Sequence, residues 1–425
     1  RSRRPSGGCV PKGPGSRRDF LCGEFGEDFD LTSSKRGVRA LKRLVLLGAT
    51  GSIGKSCARV ILDNPGRFSV EAVVGGRDGA ALARVALELG AKFAAIADPA
   101  GYADLKAGLA GHNVEIASGP EALEAAARWP ADLVVSAIVG AVGLKPTYAA
   151  IEEGRAIALA NKETLVCAGA PVMQAVARYG ATLLPLDSEH NAIFQALGGR
   201  DTAEVTCMTV TASGGPFREW SAERIAKATR AEALAHPKWS MGPKISIDSA
   251  SLMNKGLELI EAHHLFAIPP EKLAVVVHPQ SIVHGLIAFA DGSTLAGLAN
   301  PDMRTAVAHC LAYPERLPSG VPAPDLIALS KLTFEPADLD RFPALRIARE
   351  ALAEGAGAPT ALNAANEIAV AGFLDGKIAF GQLAGIVAQT LDAMRAKGEL
   401  ETPADIGSAL AIHHAARDRA AALLA

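Results

Sequence analysis

The 425-residue chain has no apolar run of about 18 residues, the length that would span a bilayer. Nor does an apolar segment follow its basic N-terminal stretch, as one would in a secretory signal. These absences predict a soluble protein that is not exported and works in the cytoplasm. The chain also lacks a surplus of charge: 43 Lys and Arg face 45 Asp and Glu. No overall field therefore draws in nucleic acid or an anionic membrane, neither is expected as a partner, and any anion site must be local. Paired cysteines are missing too. Cys9, Cys22, Cys57, Cys167, Cys207 and Cys310 are scattered without a C-x-x-C pair, which argues against a disulfide framework or a zinc site and fits a reducing compartment. What is present is 49% hydrophobic, enough to bury a large core in two or three domains.

Residues 1–37 are rich in Arg, Gly and Pro, then acidic at Glu24, Glu27, Asp28 and Asp30, without periodicity; they read as a disordered N-terminal extension. A plastid transit peptide is the alternative, and the acidic cluster speaks against it. Over 38–187 the runs LVLLG, FSVEAVV, FAAIA, VEIASG, LVVSAIV, AIALAN and TLLPLD alternate with helical patterns. Continuous β-runs separated by single helices predict an α/β fold: a Rossmann-like, doubly wound parallel sheet covered on both faces. Residues 188–312 read as a central α+β domain, with a helix from about Ser249 to Phe266. Its runs AVVVHPQSIVHGLIAFA and TLAGLA hinge at Asp291-Gly292 as a hairpin. The Pro-rich stretch 313–343 reads as a linker or arm, and the Ala- and Leu-rich 344–425 as a small C-terminal helical bundle.

LVLLG leads into Gly48-Ala49-Thr50-Gly51-Ser52-Ile53-Gly54 and then a helix, the strand-turn-helix setting of a dinucleotide site. A tight strand-to-helix connection would use the same glycines. The next strand ends Gly75-Gly76-Arg77-Asp78, where an NAD enzyme usually carries an acid for the ribose hydroxyls. An arginine suits a 2′-phosphate instead and favours NADPH; the other reading is a solvated loop arginine.

Asp187 and Glu189 end the run LLPLDSE, where an extended chain turns both carboxylates to one side. They serve equally well as a helix cap and a first-turn acid for the helical pattern from His190. Asn254 and Glu258 share a helix face with Lys255 beside them, which as a surface feature is an ordinary Lys-Glu pair. Nothing in the sequence brings Glu258 to Asp187 and Glu189. If they do meet, carboxylates about 4 Å apart repel by about 4 kcal/mol per pair at an effective dielectric near 20, and a cation is required. An all-oxygen donor set without Cys or His points to Mg²⁺ or Mn²⁺. Thr211-Ala212-Ser213-Gly214-Gly215 offers a hydroxyl and exposed amides that suit a phosphate, or is simply a glycine turn after a strand. Trp239, among the helix breakers of Ala235-His236-Pro237-Lys238-Trp239, plugs a core edge or closes over a ligand. Lys162 ends a strand, in the crevice or in solvent.

Together these segments resemble one family, 1-deoxy-D-xylulose 5-phosphate reductoisomerase of the non-mevalonate isoprenoid pathway, from about Leu41 to the C-terminus. The motifs are GATGSIG, ANKETLV, PLDSEHNAIFQAL, TASGGPFRE, HPKWSMGPKISIDSASLMNKGLELIEA, HPQSIVHG, PDMRTAVAH and LNAANEIAVAGFL. The resemblance implies an enzyme that rearranges 1-deoxy-D-xylulose 5-phosphate by metal-assisted retro-aldol and aldol steps. NADPH then reduces the product to 2-C-methyl-D-erythritol 4-phosphate. It implies Asp187, Glu189 and Glu258 as metal ligands, and Lys162, Glu189 and His236 as catalytic groups. Substrate contacts would be Lys162, Ser188, Glu189, Ser213, His236, Trp239, Ser249, Asn254, Lys255 and Glu258. NADPH positions would be Thr50, Gly51, Ser52, Ile53, Gly76, Arg77, Asp78, Asn161, Glu163 and Gly242. It also implies a homodimer whose contact the middle domain helps to form. Two departures stand out: Gly297 and Ala299 occupy positions where Gln and Gly are expected before PDMRT. A plain NADP-dependent dehydrogenase and a nucleotide-sensing binding protein are the competing readings, and neither needs carboxylates, phosphate nest and lid together.

Overall fold

The structure, a computed structural model, describes residues 40–239 and 241–424, so the extension 1–37 lies outside the described residues. Seven apolar runs become seven strands: β1 (Lys42–Leu47), β2 (Phe68–Gly75), β3 (Phe93–Ile96), β4 (Glu115–Ser118), β5 (Leu133–Ser136), β6 (Ala156–Leu159) and β7 (Thr182–Pro185). They form one parallel sheet in the order β4-β3-β2-β1-β5-β6-β7. Successive side chains of a strand face opposite sides. Accordingly Val45 and Leu47 enter one hydrophobic core while Leu44 and Leu46 enter another. Burial on both faces explains why inner strands such as β1, β5 and β6 read as nearly continuous apolar runs, while the edge strand β4 is only partly buried. The winding reverses between β1 and β5, and that is where a crevice opens beyond the strands' C-terminal ends.

A second, mixed sheet contains β8 (Val205–Ala212), β9 (Leu273–Val277), β10 (Val283–Phe289), β11 (Thr294–Leu298) and β12 (Glu335–Pro336), in the order β11-β10-β8-β9-β12. The hairpin β10-β11 forms as read, with Gly292 at φ 85° and Ser293 donating to the Asp291 carboxylate. Three details differ from the sequence reading. The run AVVVHPQSIVHGLIAFA is two strands, separated at His278-Pro279-Gln280-Ser281 and lying on either side of β8. The stretch read as linker supplies β12, which pairs with β9. The helix expected from about Ser249 is two helices, Pro243–Ala250 and Met253–Phe266, divided at Leu252 (φ 60°). A reversal of one residue leaves the apolar periodicity on both sides intact, so periodicity alone cannot reveal it.

Four long helices, Pro343–Glu354, Ala358–Leu374, Leu383–Ala396 and Ile406–Ala422, make up the C-terminal part. At Gly297 β11 passes tightly over the helix Ser188–Leu197, where a Cβ would lie 2.6 Å from the Ala192 Cβ.

Candidate active site

The crevice at the β1/β5 switch is a cleft of about 520 Å³. Its first wall is the glycine turn. A Cβ at Gly48 would meet the Ala137 carbonyl at 2.5 Å, and one at Gly54 the Ala49 carbonyl at 2.3 Å, so only glycine lets the turn fold this closely. Gly51 is the N-cap of the helix Ser52–Asp63, and Gly51, Ser52 and Ile53 line the cleft. Thr50, Gly76, Arg77 and Asp78 lie off its wall. The Arg77 side chain is 85% exposed at the end of β2 with Nε 2.9 Å from Asp98 Oδ2, which leaves both terminal nitrogens open. Asp78 caps the helix Gly79–Leu89 by accepting from the Ala81 N–H at 2.8 Å. Asn161 is buried and its side chain is fully engaged within the protein. It donates to the Ile138 and Gly140 carbonyls and accepts from Thr164, bracing the loop after β5. Glu163 is buried and accepts from Lys244 at 2.8 Å.

The opposite wall holds the carboxylates. Asp187 is the N-cap of the helix Ser188–Leu197, accepting from the Glu189 and His190 N–H groups at 3.1 and 3.3 Å. Glu189 is thus a first-turn acid on a helix, not the second residue of an extended pair. The cap role and the convergence hold at once. One oxygen from each of Asp187, Glu189 and Glu258 lies within 4.8 Å of the others. Lys162 is buried, not solvated: Nζ reaches Asp187 Oδ2 at 2.9 Å, Glu258 Oε1 at 2.7 Å and Asn254 Oδ1 at 3.1 Å. Lys255 Nζ donates to Glu189 Oε1 at 2.8 Å and also to Glu258, and Asn254 donates to Glu258. The Lys255–Glu258 pair therefore exists, but buried.

Three carboxylates and two ammonium groups compress into this volume, and their protonation follows. Burial works against the Lys162 charge, yet Asp187 and Glu258 outweigh it and hold that group well above the ordinary lysine value. For Asp187 burial acts upward, but Lys162 and His190 hold the carboxyl well below its usual range. Burial raises Glu258, and repulsion from Asp187 acts in the same direction. The donors are hard oxygens at distances one small divalent cation would bridge, so the chemistry of the set fits Mg²⁺. Behind it stands a pair the sequence reading missed. His190 Nδ1 lies 2.9 Å from Glu261 Oε2 and 3.6 Å from Asp187 Oδ1, and burial of the ring is outweighed by Glu261 and Asp187, which push it up to about 9. The signal was spacing, since His190 follows Asp187, and Glu261 follows Glu258, by three residues on a helix.

The remaining wall is polar and positive. Ser213 Oγ accepts the Gly215 N–H at 3.1 Å and sits 2.9 Å from His236 Nε2. His236 Nδ1 accepts the Trp239 and Lys238 N–H groups at 2.9 and 3.3 Å, so the ring proton is on Nε2 and points at Ser213. The Ser213 hydrogen is then left to donate. Burial lowers His236 to about 4, aided by the Lys255 charge, and the ring stays neutral near pH 7. A Cβ at Gly215 would lie 2.8 Å from the Ser249 carbonyl, so this glycine turn docks on the end of the helix Pro243–Ala250. Ser188 donates to Glu189 Oε2 at 2.6 Å. Ser188, Ser213, His236, Trp239, Gly242, Ser249, Asn254 and Lys255 all line the cleft. So do Thr211, Met241, Lys244 and His284, to which the sequence reading assigned no site role of their own. The Trp239 ring faces His284 edge-on at 6.4 Å between centroids.

Comparison with known proteins bears on this geometry. A family model described as 1-deoxy-D-xylulose 5-phosphate reductoisomerase matches residues 44–169. Models of the C-terminal domains of the same enzyme match 183–266 and 298–419. The 1-deoxy-D-xylulose 5-phosphate reductoisomerase of Afipia carboxidovorans is 53% identical over 381 residues, 90% of this chain and 94% of that one. That of Nitrobacter hamburgensis is 51% identical over 394 residues, covering 93% and 97%. Among solved structures, the Zymomonas mobilis enzyme in complex with NADPH is 48% identical with a TM-score of 0.85, covering 91% of this chain and 99% of that one. A structure of the enzyme with NADPH, fosmidomycin and magnesium is 43% identical with a TM-score of 0.87, covering 90% and 98%.

Proposed function

The chain belongs to the 1-deoxy-D-xylulose 5-phosphate reductoisomerase family, and from that premise we propose how its own side chains divide the work. It is an NADPH-dependent oxidoreductase that converts 1-deoxy-D-xylulose 5-phosphate in isoprenoid biosynthesis, with NADPH and magnesium as cofactors. In our reading residues 38–187 hold the dinucleotide, 188–312 hold the substrate, and 344–425 brace both.

Asp187, Glu189 and Glu258 would hold the magnesium ion, which when bound supplies Lewis-acid stabilisation of charge developing on the sugar's oxygens. Gly51, Ser52 and Ile53 would seat NADPH at the helix N-terminus, where the cofactor when bound would supply the hydride for the reduction. Lys162 reaches two of the three carboxylates, and its fixed positive charge stands beside the oxygens that become negative. The free Ser213 hydroxyl, Ser249, Asn254 and Lys255 form a donor set for the phosphate, which retains the substrate fragment while a carbon–carbon bond is open. His236, held by three hydrogen bonds, orients Ser213 and the sugar, and Trp239 covers the cleft and excludes water. Arg77, its Nε bound by Asp98, would have its two terminal nitrogens available to the 2′-phosphate of NADPH.

One observation carries this reading: Glu258, distant in sequence, meets Asp187 and Glu189 in the same cleft as the glycine turn. The test is NADPH oxidation with 1-deoxy-D-xylulose 5-phosphate in the presence and absence of Mg²⁺. Turnover should require both substrate and metal. A plain dehydrogenase would reduce a simple aldehyde without metal, and that outcome would displace the reading.

We also infer a homodimer in the cytoplasm. Support for the dimer comes from β11, an edge strand whose Leu295 and Leu298 are 38% and 41% exposed and which a second copy would cover. Among the described residues no helix is long and apolar enough to cross a membrane.

A further inference from the structure

Lys244 and the motif LNAANEIAVAGFL have no part in the scheme above, yet the fold brings them together at the cleft wall. Lys244 Nζ lies 2.8 Å from Glu163 Oε1 and 2.9 Å from Asp248 Oδ2, and these carboxylate side chains are only 7% and 1% exposed. The second Asp248 oxygen accepts from Asn366 Nδ2 of that motif at 2.7 Å. Three elements are thereby tied through Lys244 and Asp248: the helix Glu163–Tyr179 on the cofactor side, the helix Pro243–Ala250, and, by way of Asp248, the C-terminal helix Ala358–Leu374.

The position of the tie matters more than its strength. Two buried carboxylates around one lysine are a poor source of stability, since desolvation offsets the attraction. What the group does supply is fixed distance. Lys244 follows directly on the loop that carries His236, Trp239 and Gly242, where Gly242 caps the helix, Pro243 fills its first turn and Ser246 Oγ donates back to the Gly242 carbonyl at 3.0 Å. On the other side Glu163 adjoins Lys162, which sits among the proposed metal ligands, and Asn161, which braces the loop after β5.

We propose that Lys244 is a positioning residue for the reaction, latching the root of the His236–Trp239 loop to the cofactor-side helix, with Asn366 holding the latch from the C-terminal helix. This rests on the functional reading above. The latch fixes the substrate-side loop relative to the cofactor-side wall, so both halves of the cleft share one register.

The test compares Lys244→Met, Lys244→Arg and the double variant Lys244→Met/Asp248→Asn, which keeps the net charge of the group. The readouts are kcat, KM for NADPH and for 1-deoxy-D-xylulose 5-phosphate, and the rate of tryptic cleavage after the exposed Lys238. In folded protein Lys244→Met and the double variant should lose about tenfold or more in kcat, raise KM for the sugar, and be cut faster after Lys238. Lys244→Arg should recover most of the loss. Kinetic constants within about twofold of the parent, with unchanged cleavage, would overturn the proposal. So would failure of both Met-containing variants to fold, which would assign the group to stability alone. Absence of turnover in the parent enzyme would instead defeat the functional reading, while faster cleavage of the variant would still report the latch.

Discussion

Asp187 shows how one residue can satisfy two readings of a sequence. Its carboxylate caps a helix, the bland account of an acid after a strand, and the same cap aims it at Glu258, 71 positions further on, with oxygens inside a 4.8 Å group. The pattern LDSE made the acids visible but not their partner, since only folding closes that gap. Lys162 was equally open in the sequence, and its burial among Asp187, Glu258 and Asn254 decides it. Glu258→Gln should lower kcat by about a hundredfold or more while NADPH affinity, measured by fluorescence titration, stays within about twofold. Retained turnover would remove Glu258 from the metal site. Arg77→Asp should raise KM for NADPH much more than for NADH, because a carboxylate repels the 2′-phosphate and leaves the rest of the dinucleotide untouched. Equal effects on the two cofactors would contradict the assignment. His236, lowered to about 4 by burial and the Lys255 charge, is neutral above that pH. The kcat profile should therefore show no inflection near the ordinary histidine value of about 6.5 that disappears in His236→Gln.

At the level of elements, the inner strands of the parallel sheet were legible because burial on both faces leaves short, nearly continuous apolar runs, and the helical patterns between them separate those runs from buried helix. The break at Leu252 was not legible, because a single left-handed residue changes direction without changing pattern. It matters to function: the break separates Ser249 from Asn254 and Lys255, so two helix ends, not one helix face, meet the cleft. Close approach governs the turns in the same way. Gly215→Ala would push its turn off the Ser249 carbonyl, now 2.8 Å from where a Cβ would stand. The expected result is a KM for the sugar phosphate raised about tenfold, with KM for NADPH unchanged, measured by steady-state kinetics. If both constants moved together, the turn would not be specific to the phosphate end.

Across the whole molecule, five histidines are held near 4, chiefly by burial: His236, His264, His284, His309 and His413. Each has a folded-state value below the unfolded value of about 6.5, so each contributes stability that is complete above about pH 6.5 and is lost as the pH falls toward 4. Scanning calorimetry should find the unfolding temperature dropping across that interval, and a flat profile would contradict the burial of these rings. The long contacts that make the site belong to this scale as well. Asn366 reaches Asp248 and Glu258 reaches Asp187 only after three chain regions assemble, which is why the sequence could name the participants of the cleft but not seat them. The most direct test of that assembly is titration with Mn²⁺ as a paramagnetic stand-in for Mg²⁺, following the free ion by electron paramagnetic resonance. The account predicts one saturable site per chain that Asp187→Asn, Glu189→Gln and Glu258→Gln each abolish; binding that survives in all three variants would contradict it.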